Sequence, residues 1–121
     1  MEGEDDTDAR FQVVEPNLSE EEDRIHTESI ALIREAVQAG KKWERIVKEL
    51  KVADAALKQI ILDDFLKVTI AEHHFGQGEG LKAIAKRMHL PMAALVAAKE
   101  SMIDEVRAAS EEVYRRSKQG G

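Results

Sequence analysis

The chain has no cysteine among its 121 residues, which excludes a disulfide framework and a thiolate metal site. No apolar run approaches the roughly 20 residues that a membrane span requires. The segment Met1–Asp8 is acidic and has no apolar stretch of the kind a secretory signal carries. Together these absences lead to the expectation of a soluble, cytoplasmic protein that makes no membrane contact.

Signs of catalysis are equally scarce. No Ser/His/Asp or Cys/His arrangement can be picked out. The loop Gly76-Gln77-Gly78-Glu79-Gly80 is glycine-rich, but it lacks the Lys-Ser/Thr of a phosphate loop and follows a predicted helix, not a strand. Asp63-Asp64 invites an acid/base reading, yet Asp63 stands four residues before Lys67 and reads as half of a surface ion pair. Glu72, His73 and His74 lie together, with His26 and His89 elsewhere. Adjacent helical residues point about 100° apart, whereas metal ligands converge from one face, commonly at i, i+3 or i+4. The expectation is therefore no enzyme, no catalytic residue, no metal and no cofactor.

What the chain does contain is charge, unevenly placed. The net charge is -6. Residues 1–24 hold ten acids against two bases, a local charge of -8, and the other 97 residues hold 14 acids against 16 bases, a local charge of +2. The overall acidity thus does not exclude a nucleic-acid partner for the body of the protein. Residues 1–17 have the composition of a disordered acidic arm. Within it Phe11-Gln12-Val13-Val14 is a short apolar patch ending before Pro16.

Hydrophobic periodicity predicts five helices in one helical domain over 18–117, with 118–121 as a frayed tail. Ser19 and Glu22 have the spacing of a capping box. The acids Glu20–Asp23 suit a first helical turn. Ile25, Ser29, Leu32, Ile33, Ala36 and Val37 then form an amphipathic stripe, and Gly40 stops it. Trp43, Ile46, Val47 and Leu50 make the inner face of a short second helix. Asp54 is the expected N-cap of a third helix, to about residue 75, that is apolar nearly all round. Leu81, Ile84, Ala85 and Met88 mark a fourth, and Pro91 suits the first position of a fifth. That last helix carries a stripe of Leu95, Ala98, Met102, Val106, Ala109 and Val113.

The chain also aligns with itself at a shift of 38 residues. Gly40 meets Gly78, Ile46 meets Ile84, Leu50 meets Met88, Val52 meets Leu90 and Leu57 meets Leu95; farther back, Leu32 meets Ile70 and Val37 meets Phe75. The implied repeat is a three-helix unit used twice, with the third helix shared. Residues 81–100 resemble the helix–turn–helix of DNA-binding regulators through Ile84-Ala85, Met88, Leu90, Leu95 and Ala98. The first unit matches through Ile46, Val47, Leu50, Val52, Leu57 and Ile60. This resemblance implies an all-α, five-helix domain of two overlapping helix–turn–helix-like units. Two departures stand out. Lys51 and His89 occupy turn positions that the family gives to glycine, which implies wider turns. Pro91, Met92, Ala93, Val96 and Ala97 fill the base-reading positions of the second unit, and none has a side-chain donor or acceptor for a base edge.

Two candidate surfaces follow. Met92, Val96, Ala97 and Ile103 would form an apolar patch for a protein partner. Lys41, Lys42, Arg45, Lys48, Lys51, Lys58 and Gln59 would form a phosphate-contacting surface. The leading expectation is a regulatory or adaptor module that binds another protein. A DNA-binding protein working mainly through phosphates comes second. A helical homo-oligomer, such as a homodimer paired through the fifth helix, comes third.

Overall fold

The computed structural model describes residues 18–120, so the acidic arm over 1–17 and the final residue, Gly121, lie outside the described residues. Five helices follow one another: α1 (Glu20–Gln38), α2 (Trp43–Glu49), α3 (Ala55–Thr69), α4 (Leu81–Met88) and α5 (Met92–Gly120). A π-helical turn, Ile70–Phe75, extends α3 directly. There is no strand among the described residues. The helices make a single compact all-α domain in which α3 packs against both α1 and α5.

Local chemistry sets most of the boundaries. The capping box forms at the start of α1: Ser19 Oγ accepts from the Glu22 N–H at 3.1 Å, and Glu22 Oε1 accepts from the Ser19 N–H at 2.9 Å. Such a cap contributes about 1 kcal/mol. At the other end Gly40 takes φ 86°, which lets its N–H reach the Val37 carbonyl while the Lys41 N–H reaches that of Ala36, both at 3.0 Å. These two bonds satisfy carbonyls that the helix end would leave open. Asp54 caps α3 through Oδ1, which accepts from the N–H groups of Ala56 and Leu57.

The two turns differ. His89 adopts φ 58° and so supplies the left-handed residue itself, with three residues between α4 and α5. This second turn therefore stays tight, contrary to the expectation from its missing glycine. The turn between α2 and α3 has no positive φ and spans five residues, 50–54, as a wider turn does. Pro91 sits one residue before α5, and its carbonyl accepts the first helical bonds.

The core is centred on α3. Leu57, Ile61, Leu62, Phe65, Leu66 and Ile70 are all buried. They meet Ile33 and Val37 of α1, Trp43 and Ile46 of α2, Ile84 of α4, and Leu95 and Ala98 of α5. The Trp43 and Phe65 rings stack with centroids 5.9 Å apart, within the usual range for an offset aromatic pair. Two polar contacts clamp α3 to its neighbours. His26 Nε2 of α1 lies 2.8 Å from Asp64 Oδ2, with both side chains largely buried. Lys67 Nζ donates to Glu105 Oε2 of α5 at 2.7 Å. The expected Asp63–Lys67 surface pair is thus replaced: Lys67 reaches across to α5, and Asp63 accepts from Gln59 Nε2 at 2.9 Å. The side chain of Lys67 is mostly buried under α5, where an acid from the facing helix is the nearer partner.

The π-helical turn corrects the expected repeat register. Leu32 is 59% exposed while Ile70 is fully buried, and Val37 is buried while Phe75 is 55% exposed. At a shift of 37 the buried positions match better: Ile33 and Ile70 are both buried, as are Ser29 and Leu66, although exposed Leu32 then meets buried Thr69. Gly40 lies seven positions after Ile33, and Gly78, which also has positive φ at 75°, lies eight positions after Ile70. The wider turn, closed by an i→i+5 bond from the Gly76 N–H to the Ala71 carbonyl at 2.9 Å, absorbs the extra residue. Thr69 lies at the transition, its hydroxyl donating to the Phe65 carbonyl at 2.9 Å, a contact that loosens a helical ladder.

Two stability predictions follow from this packing. A Cβ on Gly76 would lie 2.6 Å from the Glu72 carbonyl oxygen, while one on Gly80 meets nothing within 4 Å. Gly76→Ala should therefore cost about 1–3 kcal/mol in urea unfolding, and Gly80→Ala less than about 0.5 kcal/mol. His26→Ala strands a buried Asp64 carboxyl and should cost about 1–3 kcal/mol. Adding Asp64→Ala should then cost less than it does alone, and a double-mutant cycle reads that coupling.

Candidate functional site

The longest continuous feature is a face of α5. At about 100° per residue, Met92, Val96, Ile103, Val106 and Val113 fall within roughly 100° of arc. Their spacing runs four, three, four through Lys99 and Ser110, a heptad-like seam with two polar positions. The buried contacts of α5 lie to one side of this seam, at Leu95 and Ala98. Met92 and Ile103 are exposed, and Val96 is partly buried. Three of the four residues expected at a protein-binding patch thus share one face. Ala97 is exposed but points about 140° away from Met92, where it lines a groove between α3 and α5 with Gln59, Asp63 and Lys67.

The rest of the α5 stripe read from sequence divides in two. Leu95 and Ala98 are core, and Met102 is partly buried. Val106 and Val113 are 66% and 64% exposed, because the body ends before them and every described side chain from Val106 to Arg116 faces solvent. Ion pairs along this projecting half are local: Arg107 with Asp104, and Arg115 and Arg116 with Glu112. Such i, i+3 and i, i+4 pairs support a helix without tertiary packing. Phe75 adds to the face from the π-helical turn, with Lys99 Nζ 5.9 Å above its ring. Of seven large hydrophobic residues that are exposed among the described residues, five lie on α5: Met92, Ile103, Val106, Val113 and Tyr114.

Charge on α2 is partly neutralised. Arg45 donates to Glu49 at 2.8 Å, and Lys41 lies 3.2 Å from the same carboxylate. The hydrogen bond from Arg45, followed by that from Lys41, holds the Glu49 carboxyl below the ordinary carboxylate range. Arg45 is correspondingly raised by its bond to Glu49. Lys42, Lys48, Lys51 and Lys58 form no ion pair among the described residues, and Lys58 is partly buried. Gln59 uses its amide on Asp63. The seven candidate phosphate contacts are therefore spread over α2, its flanking turns and the start of α3, and four of the cations have no acid partner among the described residues.

The polar clusters are structural in their contacts. His74 Nδ1 lies 2.8 Å from the Glu79 carbonyl. His73 Nδ1 is 3.8 Å from Glu79 Oε1, beyond hydrogen-bond range, and is buried without a hydrogen-bond partner among the described residues. Arg87 grips the Glu79 carboxylate through two nitrogens, at 2.6 and 3.0 Å, and holds its pKa below the usual value. Glu79 thereby ties the loop before α4 back onto α4. Asp63 and Asp64 point to different neighbours, Gln59 and His26. Among the described residues no three His, Asp or Glu side chains are grouped as metal ligands would be, and no helix is long and apolar enough to cross a membrane.

No family model matches the chain, and no curated protein or solved structure matches it either.

The two halves of α5 should differ in how much their side chains matter to stability. Val106→Asp and Val113→Asp should each change unfolding free energy by less than about 0.5 kcal/mol. Leu95→Ala, in the core, should cost about 2–5 kcal/mol. Urea denaturation of the three variants checks this.

Proposed function

We propose that this chain is a non-enzymatic regulatory or adaptor module that engages a protein partner through the outward face of α5. The observation that carries the reading is the seam from Met92 to Val113, apolar at five of seven positions and exposed over most of its length. Contiguous apolar surface of this kind marks a partner contact more often than it serves the free protein. A face spaced by fours and threes suits a groove or another helix. Met92 adds a side chain that adapts to irregular surfaces.

The two helix–turn–helix-like units are part of the same proposal. Gly40 and Gly78 turn the chain alike, and Ile46 with Ile84 and Leu57 with Leu95 are buried alike. In the second unit the positions that would read bases carry only apolar side chains, among them Met92 and Val96. The reading is that a DNA-reading shape has been turned to protein contact on that side.

Phosphate contact is the second reading, favoured by Lys42, Lys48, Lys51 and Lys58, which form no ion pair among the described residues. Against it stand Glu49, which occupies Lys41 and Arg45, and Asp63, which occupies Gln59. Pairing of two copies through α5 is the third, since the same seam would serve a second copy of the chain.

The test is co-purification with the full chain, followed by affinity measurement on the retained protein. Val106→Asp/Val113→Asp should weaken retention about tenfold or more, and Lys42→Glu/Lys48→Glu should leave it unchanged. The opposite pattern, with duplex-DNA binding that falls steeply as salt rises, would contradict the proposal in favour of the second reading. A purified chain that dimerises alone, and is dissociated by the α5 variant, would replace the foreign partner with a second copy.

A further inference from the structure

A groove of about 480 Å³ lies between the C-terminal half of α1 and α2, with Leu32 exposed at its rim. Lys41 and Lys51 border it, but so do Glu35 and Glu49, so neither sign of charge prevails there. A second cleft, of about 330 Å³, is bounded by α1, α3, the π-helical turn and α4. Val37, Phe65 and Met88 make its apolar side. Two guanidinium groups border it, Arg34 from α1 and Arg87 from α4, against one carboxylate, Glu72. We propose that this second cleft binds a small organic monocarboxylate, with the carboxylate between Arg34 and Arg87 and the apolar body on Val37, Phe65 and Met88.

The cleft has donors that the fold leaves unused. Arg34 forms no ion pair among the described residues, and no acid stands three or four positions from it along α1. Arg87 commits Nε and Nη2 to the Glu79 carboxylate, which leaves the N–H groups of Nη1. Glu79 does not line the cleft, so it fixes this guanidinium from outside. The ring of His73 lines the cleft, while its Nδ1 is buried without a hydrogen-bond partner among the described residues. Such an orphaned atom calls for an explanation. With Nδ1 sealed off, Nε2 is the nitrogen open to a ligand, and a carboxylate accepting from Nε2–H fixes the tautomer that leaves Nδ1 bare. His73 stands in the π-helical turn, the one stretch where the second unit is a residue longer than the first, and turns of this kind recur at functional sites. Arginine suits a planar carboxylate, and Glu72 at the border opposes a second negative charge. The volume is near the lower end of the roughly 300–1,000 Å³ of ligand pockets, so the body is a small ring or a short branched chain. No residue of α5 lines the cleft, which makes this site independent of the outward seam.

The experiment titrates the full chain with benzoate and follows the amide and imidazole NMR signals. Benzoate should shift the Gln38, Thr69, His73 and Met88 amides saturably, with a Kd of about 1 mM or tighter, and should place the His73 proton on Nε2. Benzyl alcohol lacks the charge and acetate lacks the body, so each should bind about tenfold more weakly or worse. Arg34 is exposed, so Arg34→Gln should keep the fold and weaken benzoate about tenfold, whereas Lys48→Gln should leave it unchanged. A free acid and the end of a peptide chain share this chemistry. Tighter binding of isovalerate than of N-acetyl-glycyl-leucine assigns the site to a free acid, and the reverse order, lost in the peptide amide, assigns it to a chain terminus. No saturable shift at these residues would overturn the proposal. Inorganic phosphate acting as strongly as benzoate, or equal losses in Arg34→Gln and Lys48→Gln, would also overturn it.

Discussion

Burial of α3 is the constraint on which the other helices depend. Buried side chains cover most of its circumference and leave only a strip at Ala55, Ala56, Gln59 and Asp63 exposed, so the helix needs neighbours on several sides. α1 and α5 pack directly on α3, and α4 packs on α5 and the π-helical turn, an arrangement reached through the turns at Gly40 and His89. Ile61, Ile70, Ile84 and Leu95 have essentially no exposed surface, and truncating such residues costs about 2–5 kcal/mol each. The His26–Asp64 and Lys67–Glu105 contacts fix the rotation of α3 within this shell. They do so at the edges of the apolar contact, where long or titratable side chains keep some access to water.

With the core saturated by α3, the remaining apolar surface has to be explained by something else. The outward seam of α5 is distinct from the Leu95–Ala98 contacts of the same helix, and its distal half extends past the body altogether. The basic surface of α2 is less distinct. Glu49 and Glu44 sit among its cations, and two of them are already engaged. One face thus offers continuous apolar contact and the other a few free charges beside a groove, so the two surfaces suit occupants of different chemistry.

Much of this was legible in the sequence where one residue type has one physical use. The Ser19–Glu22 box, the Asp54 cap, the stop at Gly40 and the all-round apolar pattern of α3 each follow from local chemistry. Position in the tertiary shell was less legible. Leu32 belongs to the periodic stripe of α1 yet lies at a groove rim, because α2 covers only part of that stripe. Val106 and Val113 continue the period of Ala98 and Met102 but run past the end of the body. Lys67 passed over the acid four residues away for one 38 positions distant, which no local rule anticipates. The π-helical turn shifts the repeat register by one, and its trace in the sequence is a single added residue between Ile70 and Gly78. The seam itself was half visible: its spacing is regular, but Lys99 and Ser110 interrupt it, and Phe75 joins it only through the fold.

A partner-binding role for this protein requires that the outward face of α5 be a free surface that the partner covers. Amide hydrogen exchange along α5, in the free chain and in the captured complex, reads this directly. The account predicts faster exchange over 103–113 than over 92–98 in the free chain, with strong slowing over 103–113 in the complex. Unchanged exchange along α5, with slowing confined to 41–51, would contradict it.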